Sequence, residues 1–228
     1  MSQYLLHYDR AREYFDEGNY DGAKAAAEYA LAKAGPSEGA EAKLLLAMTL
    51  RKLEFDDEAI QMFYELVSTT PTAEACAEYA LMCAERGRCD AECRELATQA
   101  ITEAPDLSSA YIALFWCDST DGNYSEALKN LRLGLHRGAE FSESRAFEMI
   151  RGWCQEACDQ NDPARALALS GEVVELFNSL DFLIMHARLA EIAGEYRTAV
   201  AYYKRTLNML RPGGLRTDVL EAIARIAI

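Results

Sequence analysis

Basic residues are scarce in this chain. Lysine and arginine total 23 against 37 aspartates and glutamates, a formal net charge of -14 over 228 residues. That balance argues against nonspecific nucleic-acid binding, which needs clustered cations to release counterions. The deficit is uneven, with 10 basic against 21 acidic residues in 1–114 and 13 against 16 in 115–228. It points either to a basic partner near the N-terminal half or to plain solubility charge on outer helix faces. Proline is also rare, with five in the whole chain. No stretch of 18 apolar residues occurs, so no membrane insertion is expected. The opening MSQYLLHYDRAREYF carries charges through what would be the apolar segment of a secretion signal. A cytoplasmic location follows. Half of the residues are nonetheless hydrophobic, which is the composition of a folded protein.

Motifs of catalysis are missing as well. There is no HExxH, no glycine-rich phosphate loop, no GxSxG elbow and no dinucleotide fingerprint. The three histidines, His7, His136 and His186, have no catalytic partners at helical spacing. The expectation is therefore no enzyme, with no catalytic residues, cofactor or metal. Seven cysteines are many, but an odd count without a secretion signal does not read as a disulfide framework. Cys89/Cys93 and Cys154/Cys158 are four residues apart, a spacing that puts two thiols on one helical face. Four such sulfurs would suit zinc. The two pairs are far apart in sequence, however, and a free cysteine behaves as a small buried apolar residue.

What the chain has in abundance is repetition. A turn signature recurs as Gly18-Asn19-Tyr20…Ala23, Phe55…Ala59, Gly87…Cys93, Gly122-Asn123-Tyr124…Ala127, Asp162-Pro163-Ala164 and Gly194-Glu195-Tyr196…Ala199. The anchors Ala23, Ala59, Cys93, Ala127, Ala164 and Ala199 are 36, 34, 34, 37 and 35 residues apart. Such a period marks a stacked helical-repeat array. Each period divides into two segments of helical apolar spacing. The pairs predicted are 3–17 with 20–34, 39–53 with 56–69, 73–86 with 90–103, 107–121 with 124–137, 143–158 with 162–177, and 179–193 with 196–210. Asp90, Asp162, and Asp106 or Ser108 are candidate helix caps, with Pro163 at a first helical position. Prolines 36, 71, 105 and 212 mark junctions, and a last helix over 216–226 is expected to cover the open end of the array. No linker splits the sequence, so residues 1–228 read as one domain, with repeats at about 3–36, 39–71, 73–105, 107–139, 143–178 and 179–212.

The pattern resembles the tetratricopeptide repeat family. Gly122-Asn123-Tyr124-Ser125-Glu126-Ala127 carries its turn, and Ala11, Ala47, Gly152 and Ala187 match its small first-helix residue, with Phe115 in that place in the fourth unit. The resemblance implies an all-α right-handed superhelix of antiparallel helix pairs. It also implies a non-enzymatic scaffold or adaptor that holds a peptide or helix of a partner in a groove lined by first helices. The alternative is a structural subunit that packs through the ends or faces of the array, so self-association stays open. In that register Tyr8, Arg12, Met48, Arg51, Glu78, Ile112, Trp116, Trp153, Arg188 and Glu191 face the groove, together with Leu5, Leu44, Ser119, Glu156 and Ile184. Trp116 and Trp153 either anchor a partner there or pack between neighbouring first helices. The asparagines fall in turns, boundaries and second helices, which argues against the family's clamp for a terminal carboxylate.

Overall fold

The structure, a computed structural model, describes residues 2–35, 39–211 and 213–226. Thirteen α-helices and no strand occur among them. They are α1 (Gln3–Asp16), α2 (Tyr20–Lys33), α3 (Gly39–Lys52), α4 (Asp56–Thr69), α5 (Ala73–Glu85), α6 (Ala91–Glu103) and α7 (Ser108–Thr120). Then follow α8 (Tyr124–His136), α9 (Glu143–Asp159), α10 (Pro163–Phe177), α11 (Leu180–Ile192), α12 (Tyr196–Met209) and α13 (Gly214–Ile226). α1 packs on α2, α3 on α4, α5 on α6, α9 on α10 and α11 on α12, as the expected hairpins require. Pro36 and Pro212 lie outside the described residues.

Side-chain caps start six of the helices. Ser2, Asn19, Thr72, Asp90, Ser142 and Asp162 each accept a hydrogen bond from the amide three residues on, satisfying a donor that the first turn leaves unpaired. Pro163 occupies the first turn of α10. α7 departs from expectation: its cap is Leu107, with no side-chain bond, so neither Asp106 nor Ser108 caps it. The last helix begins at Gly214, two residues before 216.

One backbone device closes all six hairpin turns. Gly18, Glu54, Gly87, Gly122, Asn161 and Gly194 have positive φ. The amide after each one bonds a carbonyl five residues back, as in Asn19 N to Tyr14 O at 2.8 Å and Phe55 N to Leu50 O at 2.9 Å. This left-handed C-terminal motif reverses the chain in the fewest residues. Glycine enters it without strain, whereas Glu54 enters it with a Cβ penalty. Between hairpins, Gly138 and Asn178 supply the positive φ at the two junctions that lack proline.

The chain divides into two compact units, one of Met1–Asn123 with Leu133–Ala139 and one of Tyr124–Arg132 with Glu140–Ile228. In the first, Ala11, Ala23, Ala47 and Ala59 are fully buried, and small side chains let paired helices approach closely. The larger Phe63 and Leu66 of α4 are buried as well. In the second, Ala187 and Ala199 share a core with Tyr203, Val219 and Ala222, so α13 folds back on the last hairpin.

The interval between the small residue of a first helix and the buried residue of its partner is twelve in the pairs Ala11/Ala23, Ala47/Ala59 and Ala187/Ala199. The fifth hairpin keeps that interval with Cys154 and Ala166, whose thiol and carbonyl meet at 3.5 Å. This corrects the expected register. Ala164 is exposed, and a Cβ at the exposed Gly152 would meet nothing within 4 Å. The close approach of α9 and α10 is made two residues later than the turn signature suggested.

Candidate functional site

First helices lie beside one another within each unit. α1 packs on α3 and α5 on α7 in the first, and α9 on α11 in the second. The residue after the small position points away from the paired second helix. Arg12 and Arg188 are exposed there, and Met48 is half-buried. One turn earlier stand Tyr8, Leu44 and Ile184, all half-buried. Tyr8 stacks on Tyr4 with ring centroids 5.8 Å apart. Burial first, and then the charge of Glu41, pushes its phenol above the ordinary value. In the first unit Tyr8, Arg12, Leu44 and Met48 leave an accessible strip, apolar and cationic, along α1 and α3, and in the second Ile184 and Arg188 are accessible on α11.

Other expected groove residues are already engaged. Arg51 bonds Glu78 at 2.5 Å and Glu85 at 3.1 Å, tying α3 to α5. Glu191 accepts from Arg225 at 2.6 Å and from the Tyr203 hydroxyl at 3.1 Å, tying α11 to α12 and α13. Burial, then Glu191, pushes the Tyr203 phenol up to about 12. Arg51, Glu78 and Glu191 therefore hold neighbouring helices together.

Two apolar candidates are buried. Ile112 is buried at 4% exposure and fills the space beside Gly134, where a Cβ would come within 2.7 Å of its Cδ1. Trp153 is 8% exposed and lies flat on Tyr124, with centroids 4.6 Å apart and planes 9° from parallel. Its place follows from the shifted register: it precedes the small residue Cys154, as Leu46 precedes Ala47 and His186 precedes Ala187, and all three are buried. Trp116 follows Phe115, is half-buried, and meets the Phe115 ring edge-on at 5.3 Å.

The thiols are all free. Cys89 precedes the capping Asp90, so it lies outside α6 and does not share a helical face with Cys93. Cys93 donates to the Ala80 carbonyl at 3.2 Å, and its sulfur is 3.6 Å from that of Cys117. The Cys93 hydrogen bond and burial raise the Cys117 thiol, and burial raises Cys89 to about 11 and Cys154 to about 12. Nucleophilic cysteines have lowered values, so these three are built as packing groups. Among the described residues no group of three or more His, Cys, Asp or Glu is placed to hold a metal ion. None of their helices is long and apolar enough to cross a membrane.

Compared by sequence, the chain matches no protein-family model and no curated protein. Solved structures do resemble it. PilW, a type IV pilus biogenesis factor, is similar with a TM-score of 0.60 at 19% identity, over 96% of this chain and 100% of that one. PilF of Pseudomonas aeruginosa is similar with 0.59 at 19%, over 96% of both chains. The C-terminal part of a TPR repeat-containing protein from Cytophaga hutchinsonii follows with 0.58 at 17%, over 88% of this chain and 78% of that one. At these identities the likeness is one of fold: an all-α repeat solenoid like those of tetratricopeptide proteins.

Proposed function

We propose that the chain is a non-enzymatic protein-interaction scaffold of six degenerate tetratricopeptide repeats closed by α13, and that it holds a segment of a protein partner against its first helices. The observation that carries this reading is the accessible strip itself. In the first unit Arg12 is exposed and Tyr8 and Met48 are half-open, although neighbouring positions on the same helices are fully packed, and in the second, taken by itself, Arg188 is exposed beside a half-open Ile184. A strip that mixes apolar and cationic side chains on rigid helices suits a peptide or helix better than a small metabolite. The free thiols suit a reducing cytoplasm. The acidic first half would favour a basic partner through long-range attraction.

Co-purification from the source cell tests this. Arg12→Glu combined with Met48→Glu changes surface side chains and should leave the helical spectrum intact. Loss of a specific partner from the double variant supports the reading. Recovery equal to the parent contradicts it.

A further inference from the structure

The last hairpin and α13 enclose an open cleft of about 980 Å3 within the second unit. Its apolar lining comes from Ile184 and Ile192 of α11, Tyr196 of α12, and Leu215 and Val219 of α13. Val219 is buried against the Ala199 and Tyr203 core, so α13 covers the hairpin with only part of its apolar stripe. Ile192, Tyr196 and Leu215 are left 63, 56 and 41% exposed at the mouth. A contiguous apolar patch that the fold itself leaves open is a surface feature of binding sites.

Charge on the walls distinguishes what the cleft accepts. Glu191 and Arg225 neutralise one another. Arg188 remains on the α11 side, while Asp218 and Glu221 remain on the α13 side. All three are exposed. The wall contributed by α13 is thus anionic, in a chain whose net charge is -14.

We propose that this cleft binds a short amphipathic segment of a protein partner that carries lysine or arginine beside its apolar side chains. The proposal rests on the scaffold reading and assigns it a place and a ligand chemistry. Leucine-sized side chains would cover Ile184, Ile192 and Leu215 and remove that surface from water. Cations on the flank would meet Asp218 and Glu221, and an acidic residue on the other side would meet Arg188. An acidic amphipathic segment would meet two carboxylates and the field of the whole chain.

The test is methyl NMR of the full chain labelled at isoleucine and methionine methyls, titrated with synthetic peptides. The first peptide has leucine and lysine in a helical period, the second leucine and glutamate, the third serine and lysine. The proposal expects the leucine–lysine peptide to shift Ile184 and Ile192 saturably, with the other two leaving them in place. Asp218→Lys with Glu221→Lys should weaken that binding about fivefold to tenfold, the size of two exposed ion pairs. Equal shifts from the glutamate or serine peptide overturn it. Shifts confined to Met48 and its neighbours overturn the cleft while leaving the scaffold reading standing. No shift at any methyl overturns the cleft and counts against that reading too.

Discussion

Tyr124 lies flat on Trp153, with ring centroids 4.6 Å apart, and its hydroxyl donates to Glu156 at 2.5 Å. The tyrosine belongs to the turn signature that repeats along the chain, and the tryptophan stands on the first helix of the hairpin that follows. The guanidinium of Arg165, from α10, also stands 5.5 Å from the centre of the tyrosine ring. Within the second unit, α9 and α10 are therefore joined to the first turn of α8 through one aromatic ring.

Removing that contact should cost stability. Trp153→Ala deletes a nearly buried indole and its stacking partner, a loss on the order of 3–5 kcal/mol. The urea midpoint followed by circular dichroism is expected to fall accordingly, with Trp153→Phe recovering part of the loss. A midpoint unchanged in Trp153→Ala would show that the indole carries no packing role.

The turn device gives a stabilising substitution. Glu54 has φ of 63° in a slot that glycine fills at Gly18, Gly87, Gly122 and Gly194. Glu54→Gly should gain about 0.5–1 kcal/mol, because relief of the left-handed strain slightly exceeds the added chain entropy. Thermal or urea unfolding reads the gain. A loss would mean that the glutamate side chain contributes more than its backbone strain costs.

Cys93 occupies the place taken by alanine in neighbouring hairpins. Cys93→Ala should change stability by no more than about 1 kcal/mol, since it removes one sulfur and a weak bond to the Ala80 carbonyl. Cys93→Leu should lose about 1–3 kcal/mol or more from overpacking at a fully buried site. Equal tolerance of both in urea unfolding would remove the claim of close helix approach.

His186 makes the second unit sensitive to acid. The ring is buried at 5% exposure, its Nδ1 is 2.8 Å from Ser170 Oγ, and its edge meets Tyr202. Burial lowers its pKa below the ordinary value, with the Glu175 charge opposing that shift. The unfolded chain therefore binds the proton first as pH falls. The stability contributed by neutral His186 is complete above about pH 6.5 and is lost as pH falls from there towards the lowered value, at up to about 1.4 kcal/mol per pH unit. His186→Gln should flatten that part of the stability–pH curve. An unaltered slope would place the acid sensitivity elsewhere.

The helices were legible because punctuation and periodicity agree in this sequence. Asp90 and Asp162 cap as their chemistry demands, and Gly18 and Gly194 sit where a left-handed residue is required. The register of the fifth hairpin was misread because Ala164 lies near the expected spacing. The better signal was local: four residues separate the caps Asn19, Phe55 and Glu195 from Ala23, Ala59 and Ala199, and the same step from Asp162 reaches Ala166. That two-residue shift is what turned Trp153 inward. The engagement of Arg51 by Glu78 and Glu85 was hidden for another reason. It depends on which side chains face each other across neighbouring helices, and the period of one helix does not contain that information.

Site-specific photo-crosslinking in the source cell reaches the central claim most directly. A photoreactive residue placed at Arg12, Met48 or Arg188, on first helices, is compared with one at Tyr29 or Tyr64, exposed on second helices. The account predicts a discrete partner adduct from the first-helix positions and none from the second-helix positions. Adducts formed equally from both, or from Tyr29 and Tyr64 alone, would contradict it.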